Sequence, residues 1–393
     1  MKLGPILLAA AGLAASGAPA SAAQGADCSP AASTAAGAAL RSARAELTAI
    51  ALEEDDSLVP PATSRRIERV KDRLRDFVRA EMACAPASPV PEHLAEALAA
   101  RGDASAGRPR SSRDQVPPDR HGDLLAYEVS RVASQPDMLA VVARLGIHCG
   151  TDSMLMLYRR TAAGWREAMV RRAEPYSEVK GGWGDLRFAV SPKDKRGRWF
   201  VATVSITPWC TSAWQGMPYA LARPGPAPDR PTVFFRGKNT IYLGNEADLL
   251  VRAEPNAFEL RHDGSSLDPE ILIRRHVRRY SVAGESVRRV QPVAENVRDF
   301  VDEWIDSPWA EAKDWSGRDP ALPGAHSELQ SARYKTLGGF GSIRGCAGGA
   351  SQVEIAGKEA PGWFLRVRGG TAGPWTVEKV ERKAAPSCTG RDR

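Results

Sequence analysis

The chain has 393 residues, 26% of them charged, and its 54 Lys and Arg against 47 Asp and Glu leave +7 with neutral histidine. The surplus is modest over this length, and no nucleic-acid partner is expected, since the exported chain that the first residues indicate rarely meets one. The charge serves solubility, or contact with anionic glycans or lipid headgroups.

The first residues set the compartment. Lys2 precedes the apolar run "ILLAAAGLAASGA" (6–18), too short to span a bilayer, and "ASA" (20–22) offers the small residues a signal peptidase reads. Residues 1–22 are therefore read as a cleaved secretory signal. Cys28 follows closely, but Asp27 precedes it where lipoprotein processing wants a small residue, so no lipid anchor is expected. Nothing later approaches a transmembrane length. The Ala- and Arg-rich composition fits a GC-rich Gram-negative bacterium, which makes the protein periplasmic or secreted.

Next come helices. "AALRSARAELTAIALEE" (38–54) and "SRRIERVKDRLRDFVRAEMAC" (64–84) form a helical hairpin, broken by "DDSLVPPATS" (55–64). In the second, Ile67, Val70, Leu74, Phe77, Val78 and Met82 make one apolar stripe, and Ser64 is placed to cap it. "PEHLAEALAAR" (91–101) is a third helix, and 102–123 is an exposed linker of turn formers. From 124 the pattern becomes β, with short segments rich in Val, Tyr, Phe and Thr between Gly, Pro and Asp turns. "SMLMLYRRTAAGWREAMVRR" (153–172) reads as a hairpin about "TAAG". "RWFVATVSITPW" (198–209) reads as a strand buried on one face, and "TVFFRG", "NTIYLG", "DLLVRAE" and "AFELRHDG" follow as separate strands (232–264). "RAEP" recurs at 172–175 and 252–255, a weak hint of a repeat. After a helical stretch near 300 and a Pro/Gly break at 318–326, "GWFLRVRG" and "PWTVEKVERK" pair as a hairpin. The expected fold is α+β, mainly β, with a helical N-terminal region (23–101), the linker (102–123), an antiparallel β domain with a closing helix (124–317; sandwich, barrel-like or partial propeller) and a small C-terminal β-rich module (318–393).

Six cysteines in an exported chain imply three disulfides. Six cysteines allow about 15 pairings, among which sequence alone does not choose; the expectation is sequential pairing, Cys28–Cys84, Cys149–Cys210 and Cys346–Cys388, because it divides them among these regions. There is no CxxC, HExxH, GxSxG or P-loop, and no cofactor or metal is expected. "DRHGD" (119–123) and "RHDG" (261–264) read as polar turns. "GGFGSIRG" (338–345) lacks the βαβ context of a dinucleotide loop.

One constellation stands out. In "IRRHVRRYSVAGESVRRVQP" (273–292) a turn at Gly284-Glu285 pairs Tyr280 with Arg289 and Val282 with Val287. Alternation then places Arg274, His276, Arg278, Tyr280 and Arg289 on one face, a candidate anion-binding surface. The following stretch supplies a competitor. Residues 274–289 carry +5 and residues 295–314 carry −5, so an acidic helix lying on the basic hairpin is the preferred arrangement. On that helix Val297, Phe300, Val301, Trp304 and Ile305 form a docking stripe, and Ser307-Pro308 starts a second piece with Ser307 as cap. Trp309 and Trp315 remain as a candidate aromatic platform. The expected function is a non-enzymatic binding or scaffolding role in the envelope, with an anionic glycan, a lipid headgroup or another envelope protein as partner. The alternative is a periplasmic glycan or peptidoglycan hydrolase using Asp/Glu acids with a Trp platform.

Overall fold

The computed structural model describes residues 28–51, 57–103, 105–106, 120–208, 212–242, 248–267, 273–290, 294, 296–333, 335–358, 362–370 and 373–389. The expected signal (1–22), Cys210 and most of the expected linker lie outside them.

Three helices open the chain: α1 (Pro30–Thr48), α2 (Pro61–Ala83) and α3 (Pro91–Gly102). Ser29 caps α1, its side chain accepting from the Ala32 N–H. α2 starts earlier than the proline pair suggests, because a proline at the first helical position lacks only an N–H that would be unpaired anyway. Ser64 therefore lies inside the first turn and is not the cap. The stripe from Ile67 to Met82 is buried as expected.

Four antiparallel meanders follow in chain order, giving an α+β fold that is mainly β. The first sheet contains β1 (Ser105–Ala106), β2 (Leu125–Arg131), β3 (Met138–Ile147), β4 (Gly150–Thr161) and β5 (Gly164–Arg172). β1 falls within the expected linker and pairs parallel with β2. The second holds β6 (Leu186–Val190), β7 (Val201–Ser205), β8 (Trp214–Arg223) and β9 (Thr232–Tyr242), the last being one continuous strand where two were expected. The third holds β10 (Leu250–Glu254), β11 (Ala257–Ser265), β12 (Ile273–Ala283) and β13 (Ser286–Arg289). "RAEP" marks the last strand of the first sheet and the first strand of the third, so it is not a repeat in register.

These layers stack face on face. Leu40, Val70, Phe77 and Leu98 of the helices pack on Tyr127, Val141, Met156 and Tyr158 of the first sheet. Its other face, with Ala140, Val142, Leu155 and Leu157, packs on Leu186 and Val201 of the second. Ala202, Val204, Met217 and Leu221 then turn to Phe258, Leu260, Tyr280 and Val282 of the third. β7 is thus buried on both faces, not one, because it sits in a middle layer.

The last unit mixes helix and sheet. α4 (Val297–Asp306), α5 (Trp309–Ala312), a 3₁₀ turn (Lys313–Trp315) and α6 (Leu322–Ala332) cover a sheet of β14 (Leu337–Gly345), β15 (Ser351–Gly357), β16 (Trp363–Gly370) and β17 (Gly373–Glu381). α6 occupies most of the expected break, since Pro323 lies in its first turn, where proline is tolerated. Phe300, Val301, Trp304 and Ile305 share a cluster with Leu329, Val353, Leu365 and Val377. The apolar clusters therefore cross the boundaries expected at 101 and 317. Disulfides join Cys28 to Cys84 and Cys346 to Cys388, as sequential pairing requires, and Cys149 is also disulfide-bonded.

One buried cation ties the helices to the first sheet. Lys71 Nζ lies 2.6 Å from Glu68, 3.2 Å from Asp152 and 2.9 Å from the Ala173 carbonyl. Lys71→Met leaves Asp152 buried without its cation, and should lower the unfolding free energy by about 3–5 kcal/mol in urea titration. Lys71→Met/Asp152→Asn should recover part of that loss. A single variant as stable as the wild type contradicts this role.

Candidate functional site

The β12–β13 hairpin has the expected register, with Tyr280 opposite Arg289, Val282 opposite Val287 and Gly284 at a φ of +64°. Alternation puts Arg274, His276, Arg278 and Tyr280 on one face, and cross-strand pairing adds Arg289. That face is internal. Its lower end continues the aromatic layer: Tyr280 stacks on Phe258 at 4.8 Å and its hydroxyl lies 2.8 Å from that of Tyr219. Its upper end meets α4.

On α4, Asp302, Glu303 and Asp306 turn toward the hairpin. Glu303 accepts from Arg274 Nη2 at 2.9 Å, Arg289 Nη2 at 2.8 Å and the His276 ring at 2.8 Å, with Arg278 Nη2 at 3.4 Å. Asp306 accepts from Arg278 Nη2 at 2.9 Å and from Arg333, beyond α6. Asp302 accepts from the Leu267 N–H at 2.8 Å and pairs with Arg274 and Arg333. The expected anion surface is thus corrected: its donors are turned inward onto carboxylates of the same chain. The acidic helix on the basic hairpin is the arrangement found.

The electrostatics follow from burial. Desolvation alone would raise the Glu303 pKa, but Arg278, Arg289 and His276 outweigh it and hold the carboxyl well below its usual range. Burial, and then the Arg274 guanidinium, lower the His276 pKa. A neutral ring has one N–H, and we assign it to Nδ1, since Glu303 lies closer than the Ser265 carbonyl at 3.2 Å from Nε2. His262 stacks on His276 at 5.1 Å with planes 6° apart. Its Nε2 takes the Asn239 side-chain N–H at 2.9 Å, and burial followed by His276 lowers its pKa well below 6.5. "RHDG" is therefore a buried strand segment, not a polar turn. His121 is likewise internal; burial, then His148, lower its pKa to about 4.

Could this cluster hold a metal? His276, Glu303 and Asp306 bring possible ligand atoms within 4.8 Å of one another. The same carboxylates already pair with Arg274, Arg278, Arg289 and Arg333, so a cation would sit among four guanidiniums. The donor set suits internal neutralisation better than a metal.

The expected aromatic platform is split. Ser307 ends α4 and Pro308 is the residue before α5, each one place earlier in role than expected. Trp309 packs against His326 at 5.3 Å, beside Trp304, whose Nε1 donates to Ser316 Oγ. Trp315 lies instead over the Arg289 guanidinium, 5.7 Å from its ring centroid. There it lines a cleft of about 370 Å³ between β13, the 313–315 turn and β17, with Arg288, Arg289, Asp314, Trp375 and Thr376. Sequence reading missed Trp375, because its position depends on a β16–β17 hairpin docked under α4, where Trp375 stacks on Phe300 at 5.8 Å. Arg288 and Asp314 are 3.5 Å apart and exposed, at 75% and 39%.

Comparison with known proteins found no matching family model and no matching curated sequence. Function must therefore be argued from the site.

The buried histidines set a pH dependence. Their folded pKa values are lowered, so below the ordinary value of 6.5 the unfolded chain takes up protons the folded chain refuses. Stability should be flat near neutrality and fall as pH drops below 6.5, by at most about 1.4 kcal/mol per pH unit for each histidine. The Glu303 contribution is lost later, below its ordinary value of 4.5. Denaturant unfolding at pH 7, 6 and 5 checks this, and His262→Gln should flatten the upper part of the fall. Stability that rises on acidification contradicts it.

Proposed function

We propose that the protein works after export, in the envelope of a Gram-negative bacterium, by binding or scaffolding rather than by chemistry, and that the cleft between β13 and β17 is its site. Two disulfides within the described residues are compatible with an oxidising compartment, and no described helix is long and apolar enough to cross a membrane. The stacked sheets and buried ion pairs supply a fixed platform on which the cleft walls are set.

The lining of the cleft carries this reading. Two tryptophans and two arginines are the residue types that make binding surfaces, through stacking and forked donors. Cleavage of a glycosidic bond calls for two carboxylates about 5 to 9.5 Å apart across the substrate. Among the described lining residues the one carboxylate is Asp314, which lies beside Arg288. The hydrolase alternative keeps only Trp315 of its expected platform.

The test uses oxidised full-length protein incubated with a panel of muropeptides and of neutral and acidic oligosaccharides. Equilibrium dialysis followed by mass analysis should show a ligand retained and recovered intact. Shortened products appearing at a rate above the protein-free control overturn the proposal.

A further inference from the structure

The cleft has a cationic wall, and one of its cations, Arg289, is paired in charge but only partly hydrogen-bonded among the described residues. Arg289 is 5% exposed, and its Nη2 donates to Glu303. Among the described residues its Nε and Nη1 have no hydrogen-bond partner; Glu311, 3.7 Å from Nη1, pairs with its charge but lies beyond hydrogen-bond reach. The guanidinium is held in place by the rings of Tyr280 and Trp315, at 5.4 and 5.7 Å. A buried N–H without an acceptor is unfavourable, so a ligand oxygen that reaches such a group beside a cleft is favoured. Arg288 flanks the same cleft because β13 is the edge strand of its sheet. Its pairing with Asp314 is exposed and hence easily exchanged for a ligand.

The opposite wall is aromatic and polar. Trp375 is half-buried there, and Thr376 and Asp314 add a hydroxyl and a carboxylate that suit sugar hydroxyls. The volume of about 370 Å³ is at the small end of ligand sites. An added peptide strand is disfavoured, because the edge of β17 at Val377 is already paired with Ser316 and Gly317.

We propose that this cleft takes an acidic saccharide. Its carboxylate accepts from Arg289 and Arg288, its ring packs on Trp375, and its hydroxyls meet Asp314 and Thr376. This rests on the binding reading given above.

The probes are a digalacturonate and its methyl ester, which keeps the sugar and removes the charge. Titration calorimetry on the oxidised full chain should show the acid binding about tenfold or more tightly than the ester, the scale of one or two charge-assisted hydrogen bonds. Arg288→Gln, at an exposed position, should remove most of that preference while leaving the near-UV circular dichroism unchanged. Trp375→Phe should weaken both forms. Acid and ester bound equally overturns the acidic class but leaves binding in the cleft standing, whereas a preference unaffected by Arg288→Gln overturns this cleft as the place where the acid binds. Binding of neither form also overturns the acidic class, as does capture only by vesicles of anionic phospholipid. Shortened sugars overturn the binding reading itself.

Discussion

A single buried carboxylate, Glu303, organises the junction between the third sheet and the last unit. Three guanidiniums and an imidazole from β12 and β13 converge on it. Removing such a charge from water is costly, and only multiple short contacts offset that cost. Asp302, Asp306 and Glu311 complete the set, so four carboxylates face Arg274, Arg278, Arg289 and Arg333. With His276 neutral the cluster has no net charge, which is the condition under which it can be enclosed. An apolar contact tolerates sliding, whereas forked donors on fixed acceptors do not, so the cluster also sets how α4 lies on the hairpin.

That placement positions the cleft. Arg289 is fixed at one end by Glu303 and flanked by Trp315, which follows α4 and α5 in the chain. Phe300, on the same helix as Glu303, packs on Trp375. Both walls of the cleft are thus referenced to α4: one through ion pairs, the other through aromatic packing. The buried histidines sit at the same junction, so acid weakens the part of the fold on which the site depends.

Much of this was legible where a local rule decides. The hairpin register followed from Gly284 and the period of two, and the docking stripe of α4 followed from helical spacing. The opposite charges of adjacent segments pointed to the contact between them. What escaped depends on the third dimension. β7 is buried on both faces because another sheet covers it, a fact its own residues do not encode. α6 was hidden by Pro323, which breaks a helix interior but not a first turn. Arg274, Arg278 and Arg289 were placed on the correct face, but the sequence alone left open whether that face looks outward or inward. Trp375 joined the site only through the packing of a distant hairpin.

The central claim is that Glu303 and the hairpin arginines are one interacting unit rather than separate surface charges. A double-mutant cycle on Glu303→Gln and Arg289→Met, followed by denaturant unfolding at neutral pH, measures this directly. The account predicts that the two losses overlap strongly, with a coupling energy of about 2 kcal/mol or more. Additive losses with a coupling near zero would contradict it.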